Sequence, residues 1–134
     1  MVAAVCSWHE YHLRAVHAIQ ERLNHRQRMI VAGPALIEAY SALTRLPAPH
    51  RVAPEDALNL LDANFLRTAK IVFLDAAGYG SLLRGAPDAG ISGGRIYDAV
   101  IAASARKAKV QTLLTFNEAH FASFATPALA IVAP

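Results

Sequence analysis

Apolar positions along the chain change period several times, and each change marks an element. From Glu10 to Asn24, Leu13, Val16, Ile19, Gln20 and Leu23 recur at mostly helical spacing, with Arg14, Glu21 and Arg22 off the stripe. That predicts an amphipathic helix. Met29-Ile30-Val31-Ala32 is a short apolar run stopped by Gly33-Pro34. Proline suits a first helical turn, where its missing N–H would have had no partner, so a strand should turn into a helix carrying Leu36, Ile37, Tyr40 and Leu43. Pro47, Pro49 and His50 mark a loop. Pro54-Glu55-Asp56 then places a proline and two carboxylates where a helix start favours them, and Leu58, Leu61 and Phe65 continue that helix. Lys70 to Leu74 predicts a second strand, and Asp75 the N-cap of a helix containing Leu82 and Leu83. Gly85 to Gly94 reads as an exposed loop, Arg95 to Lys107 as a helix with Ile96, Val100 and Ile101, and Gln111 to Thr115 and Ala128 to Val132 as strands. Strands alternating with helices predict an α/β fold with a largely parallel sheet.

Composition narrows the class. At 134 residues the chain has the size of one domain, and 54% hydrophobic against 17% charged residues excludes disorder and predicts a substantial core. Thirteen Lys and Arg against ten Asp and Glu leave +3, which tolerates a phosphate-rich partner without demanding one. The single cysteine, Cys6, has no partner for an internal disulfide, which suits a reducing compartment such as the cytoplasm. A membrane span needs ~18 consecutive apolar residues, and every apolar run here is broken sooner. Met1 to Val5 is apolar but lacks a basic flank and is too short for the core of a signal peptide. It begins in mid-pattern, with no cap or turn before it.

The acidic residues can be sorted one by one. Glu10, Glu21 and Asp62 fit solvated helix faces, Glu55, Asp56 and Asp75 fit helix starts, and Asp88 fits a loop. Glu38, Asp98 and Glu118 remain. Glu38 lies in the first turns of a helix that directly follows a strand, where parallel α/β sheets gather ligands. Asp98 lies in a first helical turn with Ile101, Ala102 and Ala105 on its face, and a carboxylate on an apolar face needs a partner. Glu118 follows Asn117 at the end of the strand that closes with Thr115-Phe116. Carboxylates gathered at one sheet edge would repel unless a hard divalent cation such as Mg2+ or Mn2+ joined them. Capping and ion pairing to nearby arginines account for the same residues without a metal.

Other motifs point less far. His9-Glu10-Tyr11-His12 has its histidines three apart, not the four of a zinc-binding H-E-x-x-H helix. Cys6 reads as a buried apolar thiol. Ser92-Gly93-Gly94 lacks the rest of a phosphate-binding loop and reads as a connector. Arg95, Arg106, Lys107 and Lys109 make the last long helix basic, and the cations at its C-terminal end also suit the helix dipole.

Three segments together resemble a PIN domain, specifically the VapC-type toxins of bacterial toxin–antitoxin pairs: Val31 to Glu38, Arg95 to Ala105 and Leu113 to Phe121. The resemblance covers nearly the whole chain in the right order, and the middle segment with its preceding glycines is the most specific. It implies a single PIN-like domain over residues 1–134, a three-layer α/β/α fold with a mostly parallel sheet. Glu38 and Asp98 fall on the family's second and third acidic positions, which help hold magnesium, and Thr115 on a hydroxyl position. Asn117 stands where many relatives have the fourth acid, with Glu118 beside it as a substitute carboxylate. In the family a first, central strand ends in an aspartate ahead of an apolar helix like Met1 to Val5. Here both that strand and its aspartate are missing. A sheet lacking its central strand would leave unpaired backbone, so the expectation is a natural start upstream of Met1. The competing expectation is a remnant whose sheet a partner completes.

The resemblance implies an Mg2+- or Mn2+-dependent endoribonuclease that hydrolyses RNA by in-line attack of water. It also implies an antitoxin that blocks the site, and a homodimer. Two alternatives stand beside it. One is a catalytically impaired module that binds an antitoxin or other protein without cleaving RNA. The other is a metal-dependent phosphohydrolase of another α/β fold, disfavoured because no aspartate follows a first strand.

Overall fold

A computed structural model describes residues 1–134. The chain gathers into two compact units, Met1–Ile71 with Pro134, and Val72–Ala133. No helix is long and apolar enough to cross a membrane.

The first unit contains α1 (Val2–Val5), α2 (His12–Asn24), β1 (Ile30–Ala32), α3 (Gly33–Arg45), α4 (Pro54–Leu61) and the start of β2 (Lys70–Val72). β1 pairs with β2 and runs into α3 without a loop, with Pro34 in the first turn as its geometry allows. Leu36, Ala39 and Leu43 form the buried stripe of α3 and meet Ala57 and Leu61 of α4 in one core with Cys6, Val31 and Phe65. Alanines at the α3–α4 contact let the helices approach closely. After Leu61 the chain widens into a π turn, Asp62–Leu66, where the Arg67 N–H donates to the carbonyl of Asp62. The Arg67 guanidinium also pairs with the Asp62 carboxylate at 3.1 Å, and the turn delivers Phe65 to the core.

α2 differs from its expected face. Ala15 and Ala18 are its buried residues, while Leu13 is 79% exposed and Leu23 is also exposed. α2 packs on α1, and a helix held this close presents its small side chains inward. Of the apolar stripe read from spacing, Val16 and Ile19 are half-buried, while Leu13, Gln20 and Leu23 lie off the buried line.

The second unit contains α5 (Ala76–Gly85), α6 (Arg95–Lys107), β3 (Thr112–Leu114), α7 (Glu118–Phe121), a 3-10 turn (Ala122–Phe124) and β4 (Ala130–Val132). Asp75 caps α5, its Oδ1 accepting from the Gly78 N–H at 2.8 Å, as its position predicts. β3 and β4 are parallel, with Leu113 opposite Ile131, and the connection between them carries α7 and the 3-10 turn. Ala99 and Ala102 of α6 pack against Phe121 and Phe124, with Leu82, Ile91, Leu113 and Ile131 around them. Backbone pairing is thus made in two short ladders, β1 with β2 and β3 with β4.

Both long helices that carry a cation past their ends close in the same way. After α2, Arg26 takes φ 60°, and after α6, Lys109 takes φ 56°. In each case the next residue reaches back five positions, Gln27 N–H to the Arg22 carbonyl and Val110 N–H to the Ala105 carbonyl, both at 3.0 Å. This is the Schellman closure, made with a cation where glycine is usual. The positive charge suits the carbonyl-rich helix end.

Candidate active site

Asp98 sits in the first turn of α6, where the segment Arg95–Lys107 forms the helix its periodicity predicts. Its side chain is only 17% exposed, and its partner is His120 of α7, whose Nδ1 lies 3.4 Å from Asp98 Oδ2 with the imidazole 60% exposed. The two form an ion pair whenever the imidazole is protonated. One helical turn away on each element a second pair repeats the arrangement: Arg95 Nη2 donates to Ser123 Oγ at 2.8 Å. The Arg95 guanidinium also lies 5.8 Å from the centre of the Phe124 ring, within cation–π range. Two polar rungs therefore cross from α6 to the α7 segment above the apolar seam of Ala99, Ala102, Phe121 and Phe124.

The remaining predicted residues follow β3. Thr115 continues the ladder, its N–H bonded to the Val132 carbonyl at 3.0 Å, and its Oγ1 accepts from the Asn117 N–H at 3.0 Å. That bond folds the chain sharply after the strand, so Asn117 becomes the N-cap residue of α7 and Glu118 its first residue, both exposed. Glu38 lies exposed on α3, in the other unit. Within neither unit do three or more His, Cys, Asp or Glu side chains come together in a group that could hold a metal ion.

Sequence reasoning singles out Asp98, Thr115, Asn117 and Glu118 but assigns nothing to His120 or Ser123. A signal is present. Arg95 and Asp98 on one element, and His120 and Ser123 on the other, each stand three apart, as do the apolar pairs beside them. Residues three apart share a helix face.

A sequence profile of the PIN domain matches residues 1–126. The chain belongs to the PIN domain family. This PIN domain is 34% identical over 113 residues to Ribonuclease VapC40 of Mycobacterium tuberculosis, covering 84% of this chain and 78% of the relative. It is 38% identical over 87 residues to Ribonuclease VapC27 of the same organism, covering 65% of this chain and 61% of the relative. Its fold matches the crystal structure of VapBC2 from Rickettsia felis bound to a DNA fragment from their promoter. That match has a TM-score of 0.65 at 21% identity and covers 99% of this chain and 92% of that one. The α/β, PIN-like architecture expected from the sequence is thus the observed one.

Proposed function

We propose that this chain, taken as one PIN domain over residues 1–134, is the toxin ribonuclease of a toxin–antitoxin pair and hydrolyses RNA phosphodiester bonds with Mg2+ or Mn2+. The observation that carries the reading is Asp98, a carboxylate withdrawn from solvent in the first turn of α6 and backed by an imidazole. It lies on the segment most specific to the family, and the named relatives are ribonucleases.

The donor chemistry of the second unit is that of a hard-cation site: carboxylates at Asp98 and Glu118, an amide oxygen at Asn117 and a hydroxyl at Thr115. Mg2+ is commonly held through one or two carboxylates with waters completing its shell. Asp98 would hold the ion, with Glu118 and the Asn117 carbonyl of the same unit as further oxygen donors. A bound divalent cation supplies positive charge against the negative charge that builds on the phosphoryl oxygens. Thr115 holds the bend that carries Asn117, and His120 holds the Asp98 carboxylate against α6.

The partners in this reading are RNA, a cognate antitoxin and a second copy of the chain, and the compartment is the cytoplasm. Large apolar side chains left exposed, among them Ile37, Phe73, Leu83 and Tyr97, offer surface for protein contacts. A second reading, partner binding without cleavage, is favoured by the neutral Asn117 at an acidic position of the family.

The deciding experiment incubates labelled RNA at low salt with the chain and Mn2+, with Asp98→Asn and EDTA in parallel. Cleavage by the wild type alone, abolished by EDTA, supports the nuclease. No cleavage by the wild type, with antitoxin binding unaffected by Asp98→Asn, supports the binding module. Turnover of small phosphate esters but not RNA would point to a general phosphohydrolase.

A further inference from the structure

The two rungs between α6 and the α7 segment differ in kind. Asp98 and His120 join a carboxylate to an imidazole, so each has a partner of complementary character. Arg95 is joined to a neutral hydroxyl, which satisfies one N–H of a guanidinium that carries five and neutralises none of its charge. The side chain is exposed but not loose, because Ser123 Oγ holds its tip and its Cζ lies over the Phe124 ring, 5.8 Å from the centroid. A solvent-exposed arginine normally loses considerable rotamer freedom when it captures a ligand. Here that freedom is already restricted by protein contacts, and the unused donors stand one turn from Asp98.

We infer that Arg95 is a phosphate-binding residue that holds the RNA backbone beside Asp98, with Ser123 and the Phe124 ring as the groups that position it. The inference rests on the ribonuclease reading and adds to it a specific anion contact. Phosphate is the ligand that a planar fork with spare donors suits, through paired N–H···O bonds to two non-bridging oxygens. A carboxylate would suit the fork equally, but in this reading the polymer that reaches Asp98 carries phosphates. Arg95 and Asp98 stand three residues apart on one helix face, so a strand held by the first passes within reach of the second.

The test measures binding of a fluorescent single-stranded RNA to the full chain by anisotropy, in EDTA so that nothing is cut, across a salt series. Wild type, Arg95→Gln, Arg95→Lys, Ser123→Ala and Asp98→Asn are compared, with thermal melts to show that each is folded. Arg95→Gln should weaken binding about tenfold and reduce the salt slope by about 0.7, the share of one phosphate contact on a single strand. Arg95→Lys should keep the slope, because the charge remains, yet bind less tightly because the fork is lost. Ser123→Ala should also keep the slope and bind a few-fold more weakly. In cleavage assays with Mn2+, Arg95→Gln should raise KM more than it lowers kcat.

If the wild type binds RNA and Arg95→Gln and Arg95→Lys match it in affinity and slope, Arg95 only docks α7 and the inference falls while the ribonuclease reading stands. A lower melting temperature for Arg95→Gln with an unchanged slope likewise reduces Arg95 to a docking residue. If the wild type binds no RNA at low salt, the inference falls together with the reading beneath it. Asp98→Asn should bind RNA at least as tightly as the wild type in EDTA, since it removes a negative charge beside the phosphate, while failing to cut with Mn2+, which separates loss of chemistry from loss of binding.

Discussion

Lys107 Nζ lies 2.9 Å from Asp75 Oδ2, so the last residue of α6 is tied to the side chain that caps α5. Asp75 therefore accepts from two directions at once, from Lys107 through one oxygen and from the Gly78 N–H through the other.

The hydrogen bond from Lys107, with that from Gly78, holds the Asp75 carboxyl below its usual value. A carboxyl with a depressed folded pKa stabilises the protein above its unfolded pKa, here 3.8, and the benefit is lost as pH falls below that through the folded value. Melting curves from pH 7 to pH 2 should show wild type and Asp75→Asn converging at the acid end, with the variant slightly less stable near neutrality. Both groups are exposed, so the difference should be small and should shrink with added salt. Parallel curves at all pH values would exclude the linkage.

Leu43 is fully enclosed at the meeting of α3 and α4. Leu43→Ala should cost about 2–5 kcal/mol in urea unfolding, from lost burial and the cavity left behind. Leu43→Met, which keeps the volume, should cost under about 1.5 kcal/mol. Equal losses for the two would mean that shape and not volume sets this site.

Lys109 and Arg26 occupy left-handed backbone that favours glycine. Lys109→Gly should be neutral to stabilising, by up to about 1 kcal/mol, because the strain relieved exceeds the chain entropy added. Lys109→Val should destabilise, since a β-branched side chain tolerates positive φ poorly. Denaturant midpoints of the two variants, on either side of the wild type, would establish that backbone strain outweighs the favourable charge at the helix end.

Asn117 is an exposed N-cap residue of α7, and its side chain carries no charge. In the metal-dependent reading, Asn117→Asp should tighten Mn2+ binding on the order of tenfold, as ligand charge does at hard-cation sites. Calorimetric titration of the variant against the wild type checks this directly, and unchanged affinity would remove position 117 from the ion's surroundings.

The helix starts are legible in the sequence because they rest on local chemistry. Pro34, Pro54 and Asp75 each stand where a first turn or cap needs them, and α6 spans the range that its apolar period predicts. Helices α2 and α6 end where the sequence places them, at Asn24 and Lys107, but the positive-φ closures that follow at Arg26 and Lys109 are hidden because no glycine marks them. The buried face of α2 is not legible from spacing, because close packing on α1 selects Ala15 and Ala18 over the larger Leu13 and Leu23. Each strand is shorter than its apolar run, since pairing ends where the chain bends away: at Thr115 the side-chain bond to Asn117 turns it. Asp98 is legible as a carboxylate in need of a partner. Its partner is only half legible: the three-residue spacing marks a shared face on each element, but the docking of α7 on α6, which decides which faces meet, joins residues far apart in sequence.

The parallel pairing of β3 and β4 forces the chain to leave one strand, cross over and return to the same end. Thr115, Asn117, Glu118, His120 and Ser123 all lie on that crossover. Their arrangement is thus bracketed by one closure: the paired strands fix both ends of the segment that rests on α6. The closure spans a short stretch of chain, so its entropic barrier is modest. A nick between Asn117 and Ser123 would therefore weaken the strand pairing and the polar rungs together, whereas an insertion there would cost little more than the added loop entropy.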